Sequence, residues 1–98
     1  DAEEIERAGA FAIVVEGVKP EAAKAISSAI NIPTIGIGAG IDVDGQVLVW
    51  SDMFGLNNEF KPKFVRTYLN GFDIFQNGVK EYANDVKSGN FPSKEEEY

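Results

Sequence analysis

The 98-residue sequence has no cysteine and no histidine, and only one methionine and one tryptophan. Without cysteine there is no disulfide framework and no thiolate chemistry, a usage that fits a cytoplasmic protein. Positive charge is scarce: nine Lys and Arg stand against sixteen Asp and Glu, for a formal net charge of −7. Neutralising phosphates requires basic residues gathered on one face, so nucleic acid is a poor partner for this chain, as is an anionic membrane surface. No apolar run approaches the roughly 18 residues of a membrane span, and no signal peptide is visible. No repeat, low-complexity stretch or linker divides the chain, so one domain with a thin core is the upper bound. The apolar fraction of 44% is nevertheless that of a globular protein and not of a disordered one.

The first residues, "DAEEIERAGAF", have the texture of a helix already under way. Asp1, Glu3 and Glu4 suit a first turn, Glu3 and Arg7 stand at i,i+4, and Gly9 suits a C-terminal stop. No N-cap or preceding strand explains that helix, and the sequence does not start with Met. The expectation is a C-terminal piece of something longer. "AFAIVVEG" (10–17) and "IPTIGIG" (32–38) are nearly continuous β-branched runs, the pattern of strands buried on both faces, and "QVLVW" (46–50) is a third. Pro20 and Glu21 open a helix between the first two, with Ala22, Ala23, Ile26, Ala29 and Ile30 on one face.

Strand–helix–strand implies parallel pairing in an α/β layer. Only about seven residues separate the second and third strands, too few for a helical crossover, so they form a hairpin or are offset around a curved sheet. Pro62 should start a further helix carrying Phe64, Val65, Tyr68 and Leu69 on one face, broken at Asn70-Gly71. A last helix is expected from about Asp73 to Lys87, with Phe72, Phe75, Val79, Tyr82, Ala83 and Val86 along one stripe. Residues 93–98, ending "SKEEEY", read as a flexible charged tail.

Glu16 emerges directly from a buried strand and is followed by Gly17. In α/β barrels such strand ends carry the active-site groups, and partial desolvation of a carboxylate suits a general base. The competing reading is the first exposed residue of a βα loop. In "GIGAG", Gly36, Gly38 and Gly40 alternate, leaving one edge free of side chains, for a phosphate or cofactor or for tight packing. No helix follows and the spacing is not that of a dinucleotide fingerprint. "DVDG" (42–45) fails as a calcium loop, because Ser51 stands where the twelfth-position Glu belongs. It reads as a turn held by Asx-type hydrogen bonds, with Gly45 at positive φ. Asp52 is either a cap or a rim residue.

Four collinear blocks, "AGAFAIVVEGV", "IPTIGIGAG", "DGQVLVWSDMFGL" and "FKPKFV", closely resemble the C-terminal part of the ketopantoate hydroxymethyltransferase family. The resemblance covers about residues 1–92 and the last third or so of the family's length. It implies one TIM (β/α)8 barrel, with residues 1–98 supplying the end of the fifth helix, strands six to eight and the terminal helices. It also implies that the Asp-Gly turn leads from strand seven to strand eight without a full helix.

The implied reaction makes ketopantoate from 3-methyl-2-oxobutanoate and 5,10-methylenetetrahydrofolate, with magnesium chelating the oxo acid. In the family the base that takes the C3 proton is a glutamate ending the sixth strand, and the matching position is Glu16. Ile37, Val47 and Val49 match apolar positions that pack around the substrate's isopropyl group. The family's metal ligands lie on early strands, so no metal ligand is expected in this chain, and the 98 residues alone are expected to be inactive. Ser51 replaces the histidine of a common "WHDM", "GVKP" has one residue more than the usual "CVP", and "EEEY" replaces an "EHSF"-like ending. The family assembles through terminal helices, which implies a homo-oligomer. Two alternatives remain beside this one: a related phosphoenolpyruvate-type barrel lyase or mutase, and a non-catalytic assembly module.

Overall fold

A computed structural model describes residues 1–98. Helix α1 spans Ala2–Arg7, and the chain turns at Gly9 with φ +97°. Glu3 and Arg7 do not pair; the only ion pair joins the Asp1 amino group to Glu4 at 3.4 Å. The Glu6 carboxylate instead accepts the Asn31 and Ile32 N–H groups at 2.7 and 3.2 Å, fastening α1 to the segment ahead of the second strand. Strand β1 is Ile13–Glu16, helix α2 is Pro20–Ala29 and strand β2 is Thr34–Ile37. Pro20 opens α2 where its missing N–H costs nothing, as its sequence implies.

β1 and β2 pair in parallel, with Ile13 opposite Thr34 and Glu16 opposite Ile37. Strand β3, Gly45–Gln46, pairs with β2, also in parallel, with Gly36 opposite Gln46. The hairpin alternative is thus ruled out, and the fold is α/β with a three-stranded parallel sheet ordered β1-β2-β3. Residues 38–44 make this short return possible by doing a helix's packing. Ala39 is buried and, with Val15 and Ala23, forms the core cluster, while Val43 packs against it. A Cβ at Gly40 would lie 2.8 Å from Pro20 Cβ, so the glycine brings this segment onto the start of α2. Within α2 the covered face is Ala23, Ile26 and Ile30; Ala22 and Ala29 are exposed.

The strands are shorter than their apolar runs and are covered on one side only. Ile13 and Val15 face α2, whereas Val14 is 60% exposed on the opposite face, where no element of the chain lies over it. Phe11 lies outside β1 and is 90% exposed. The radius of gyration is 21.7 Å, against about 13 Å for a compact domain of 100 residues. Only 8 of 98 residues are buried, so the apolar surface on view calls for a covering partner.

The third apolar run ends early as strand: β3 stops at Gln46, and helix α3, Trp50–Met53, begins where "QVLVW" ends. Gly45 lies in β3 and not at positive φ. No helix forms at 62–69. Val65 N–H closes a turn on Pro62 O at 3.0 Å, and Tyr68 N–H donates to Met53 O at 2.7 Å. The first bond closes only a local turn, and the second takes the N–H that a helix would have directed to Phe64 O. Helix α4, Gly71–Ser88, ends at Gly89 in the left-handed region, and its aromatic stripe is exposed, with Phe75 at 63% and Val79 at 67%. In the exposed tail, Ser93 and Glu96 form a capping box around a 3₁₀ turn, Lys94–Glu96.

Candidate functional site

Glu16 is the last residue of β1, and its strand parity places it with Val14 on the face away from α2. Its side chain is exposed. Paired residues of parallel strands point to the same side, so Ile37 shares that face beside Glu16. Gln46 pairs with Gly36 on the helix side, and Val47 N–H continues the ladder to Gly36 O at 3.0 Å. Val47 therefore returns to the Glu16 face. Val49 lies past the ladder, as the N-cap of α3, and is 48% exposed. The structure thus gathers Glu16, Ile37 and Val47 on one uncovered sheet face and leaves Val49 at its margin.

The carboxyl ends of β1 and β2 open onto a cleft of about 630 Å³. Gly17, Gly38 and Gly40 border it, all at positive φ. No atom lies within 4 Å of where a Gly17 Cβ would be, so backbone there is open to approach. At Gly38 the opposite holds, because Phe64 covers it and a Cβ would sit 2.9 Å from the ring. The alternating glycines therefore serve packing at positions 36, 38 and 40. A second hollow, about 680 Å³, adjoins across Phe64 and is bordered by Ile41, Val47, Met53, Arg66 and Tyr68.

The register of the inner face is set by Thr34, which is fully buried. The Asp44 carboxylate accepts the Thr34 N–H at 2.8 Å and the Thr34 hydroxyl at 2.9 Å. Asp44 N–H donates back to Thr34 Oγ1 at 3.2 Å. With its one proton given to Asp44, Thr34 Oγ1 accepts from Ser27 Oγ at 2.7 Å, so the buried hydroxyl is fully satisfied. The backbone N–H of Thr34, and then its hydroxyl, hold the Asp44 carboxyl below its ordinary 3.8, opposed by desolvation. This Asp44–Thr34 clip replaces the expected Asx turn. Only the Asp-Gly pair ten residues after a strand-leading Thr hints at it in sequence.

Asp52 lies within α3 and is not its N-cap; Ser51 beside it is partly buried. Nowhere in these 98 residues do three or more carboxylate side chains converge. Pattern reading also missed Lys63 and Phe64, which border the cleft because the segment 62–65 turns instead of coiling. No helix is long and apolar enough to cross a membrane.

The arrangement can present a carboxylate beside an apolar wall at strand ends, next to a cleft of accessible backbone. Comparison with known proteins gives it a family. The 3-methyl-2-oxobutanoate hydroxymethyltransferase of Aliarcobacter butzleri is 64% identical over the whole chain, which covers 36% of that protein. Enzymes of the same name from Nitratiruptor sp. and Wolinella succinogenes are 55% and 54% identical over the whole chain, covering 38% and 37% of their lengths. The chain thus spans little more than a third of the curated relatives it matches. The profile of ketopantoate hydroxymethyltransferase matches residues 1–94, nearly every residue from the first turn of α1 to the tail, and the chain belongs to that family.

Proposed function

We propose that the chain is the C-terminal part of a 3-methyl-2-oxobutanoate hydroxymethyltransferase, contributing the general base and part of the substrate wall to a (β/α)8 barrel. The observation that carries this reading is Glu16 at the end of a parallel strand, on the face that α2 leaves open, within a family match spanning residues 1–94. In a barrel the helices lie outside and the uncovered sheet face is the interior, so Glu16, Ile37 and Val47 point inward there. The surface that the 98 residues leave bare is then the surface that the other strands cover.

The Glu16 carboxylate accepts the proton on C3 of the oxo acid. The electron pair left on C3 bonds to the methylene carbon of 5,10-methylenetetrahydrofolate as one of its two C–N bonds to folate breaks. Water then displaces the second nitrogen and leaves the hydroxyl, and the proton from C3 and one from water end on the two nitrogens of the released tetrahydrofolate. Ile37 and Val47, with Val49 at the rim, hold the isopropyl group and exclude water from the reacting carbon. A divalent ion such as magnesium supplies Lewis-acid stabilisation of the oxo acid's oxygens, but the acidic side chains of this chain do not converge on one. Its ligands belong to other parts of the barrel.

The exposed stripe of α4 serves assembly into a homo-oligomer, and the protein works in the cytoplasm. The test is direct: full-length protein should form ketopantoate from the oxo acid and methylenetetrahydrofolate, and residues 1–98 alone should not. Absence of product from folded full-length protein would remove the reading.

A further inference from the structure

The cleft beside Glu16 has an unusual charge. The chain carries sixteen acidic residues and nine basic ones, yet Lys63 is the one charged residue on the cleft's lining. Within residues 1–98 no basic side chain is engaged in an ion pair, Lys63 included. It stands in the run "KPKFVR" (61–66), and between Phe60 and Phe72 the sequence contains no acidic residue at all. The segment is also fixed in place. Val65 is buried, its N–H closes the turn on Pro62, and Phe64 lies against Gly38. Lys63 sits within that turn and borders the same cleft as Gly17, whose backbone is open to approach.

We infer that this cleft binds the glutamyl end of the folate co-substrate, with the Lys63 ammonium on its carboxylate. The inference rests on the folate-dependent reading above. A folate's fixed negative charges are all at its glutamyl end, and the molecule is long enough to reach from a reaction centre into a side cleft. Gly17, which follows Glu16, borders the same cleft as Lys63, so both features lie along one path at the strand ends. An isolated cation among backbone and apolar groups attracts such a carboxylate with little competition from fixed anions.

Steady-state kinetics on full-length enzyme test this with Lys63→Gln, Lys63→Arg and, as a control outside the cleft, Lys61→Gln. In Lys63→Gln the KM for methylenetetrahydrofolate should rise about tenfold, the scale of one charge-assisted contact, with the oxo-acid KM unchanged. The rise should be larger for the triglutamate than for the monoglutamate, restored in Lys63→Arg and absent in Lys61→Gln. An unchanged folate KM, or a rise in the oxo-acid KM in its place, overturns the inference and leaves the parent reading standing. A wild-type enzyme without folate-dependent turnover overturns both.

Discussion

Asp44 grips Thr34 from two directions: its carboxylate accepts both the Thr34 N–H and the Thr34 hydroxyl, while its own N–H donates back to that hydroxyl oxygen. The pair lies across the start of β2 and the residue before β3, so it sets which residues of the two strands face each other. Parallel neighbours ordinarily need a long crossover. Here residues 38–44 suffice because this clip fixes one end of the return and Gly40 against Pro20 holds the middle.

The clip has a pH signature. A carboxyl whose folded pKa is depressed adds stability above its unfolded value, near 3.8, and loses it as pH falls through the folded value. Asp44→Asn in the full-length protein should therefore be less stable than wild type at pH 7. The gap should narrow below about pH 4 and close lower still. Urea midpoints across a pH series measure it, and a gap that stays constant down to low pH contradicts the assignment.

Two glycines of the same region should respond to alanine in opposite ways. A Cβ at Gly71 would fall on the Phe54 carbonyl oxygen and on Leu56, at the crossing where Gly71 N–H donates to Phe54 O at 2.7 Å. Gly71→Ala should cost about 1–3 kcal/mol through forced displacement. Gly78 lies inside α4 with nothing within 4 Å of its missing Cβ. Gly78→Ala should stabilise by about 0.5–1 kcal/mol through helix propensity. Chemical unfolding of both variants checks the contrast.

The α4 stripe makes a separate prediction. Val79 is 67% exposed, so a charge there disturbs nothing within the chain. If the stripe is an assembly face, Val79→Glu in full-length protein should lower the mass seen by light scattering while leaving the helical circular dichroism unchanged. An unchanged mass would free α4 from that role.

Much of this was legible in the residues because the signals were local. Pro20 fixed the start of α2, and the β-branched runs around Ile13–Glu16 and Thr34–Ile37 the two central strands. The failures are places where distant partners decide. Phe64, Val65, Tyr68 and Leu69 have helical spacing, yet their segment is irregular because Met53 O takes the Tyr68 N–H and Gly38 receives the Phe64 ring. Gly45 reads as a turn residue, but the Asp44 side chain turns back to Thr34 and delivers the glycine into β3. Alternation pointed Ile37, Val47 and Val49 to one side, but the strand ladder ends before Val49, which caps α3; Lys63 could not be placed, since its position depends on that same irregular segment.

Conversion of Glu16 to glutamine keeps the side chain's size at an exposed position and removes only its basicity. The most direct measurement is the washout of deuterium from C3 of 3-methyl-2-oxobutanoate by full-length enzyme with no folate present. Wild type should exchange the label with solvent, and Glu16→Gln should do so about 10²–10⁴-fold more slowly while remaining folded. Exchange at the wild-type rate in the glutamine variant would place the base elsewhere.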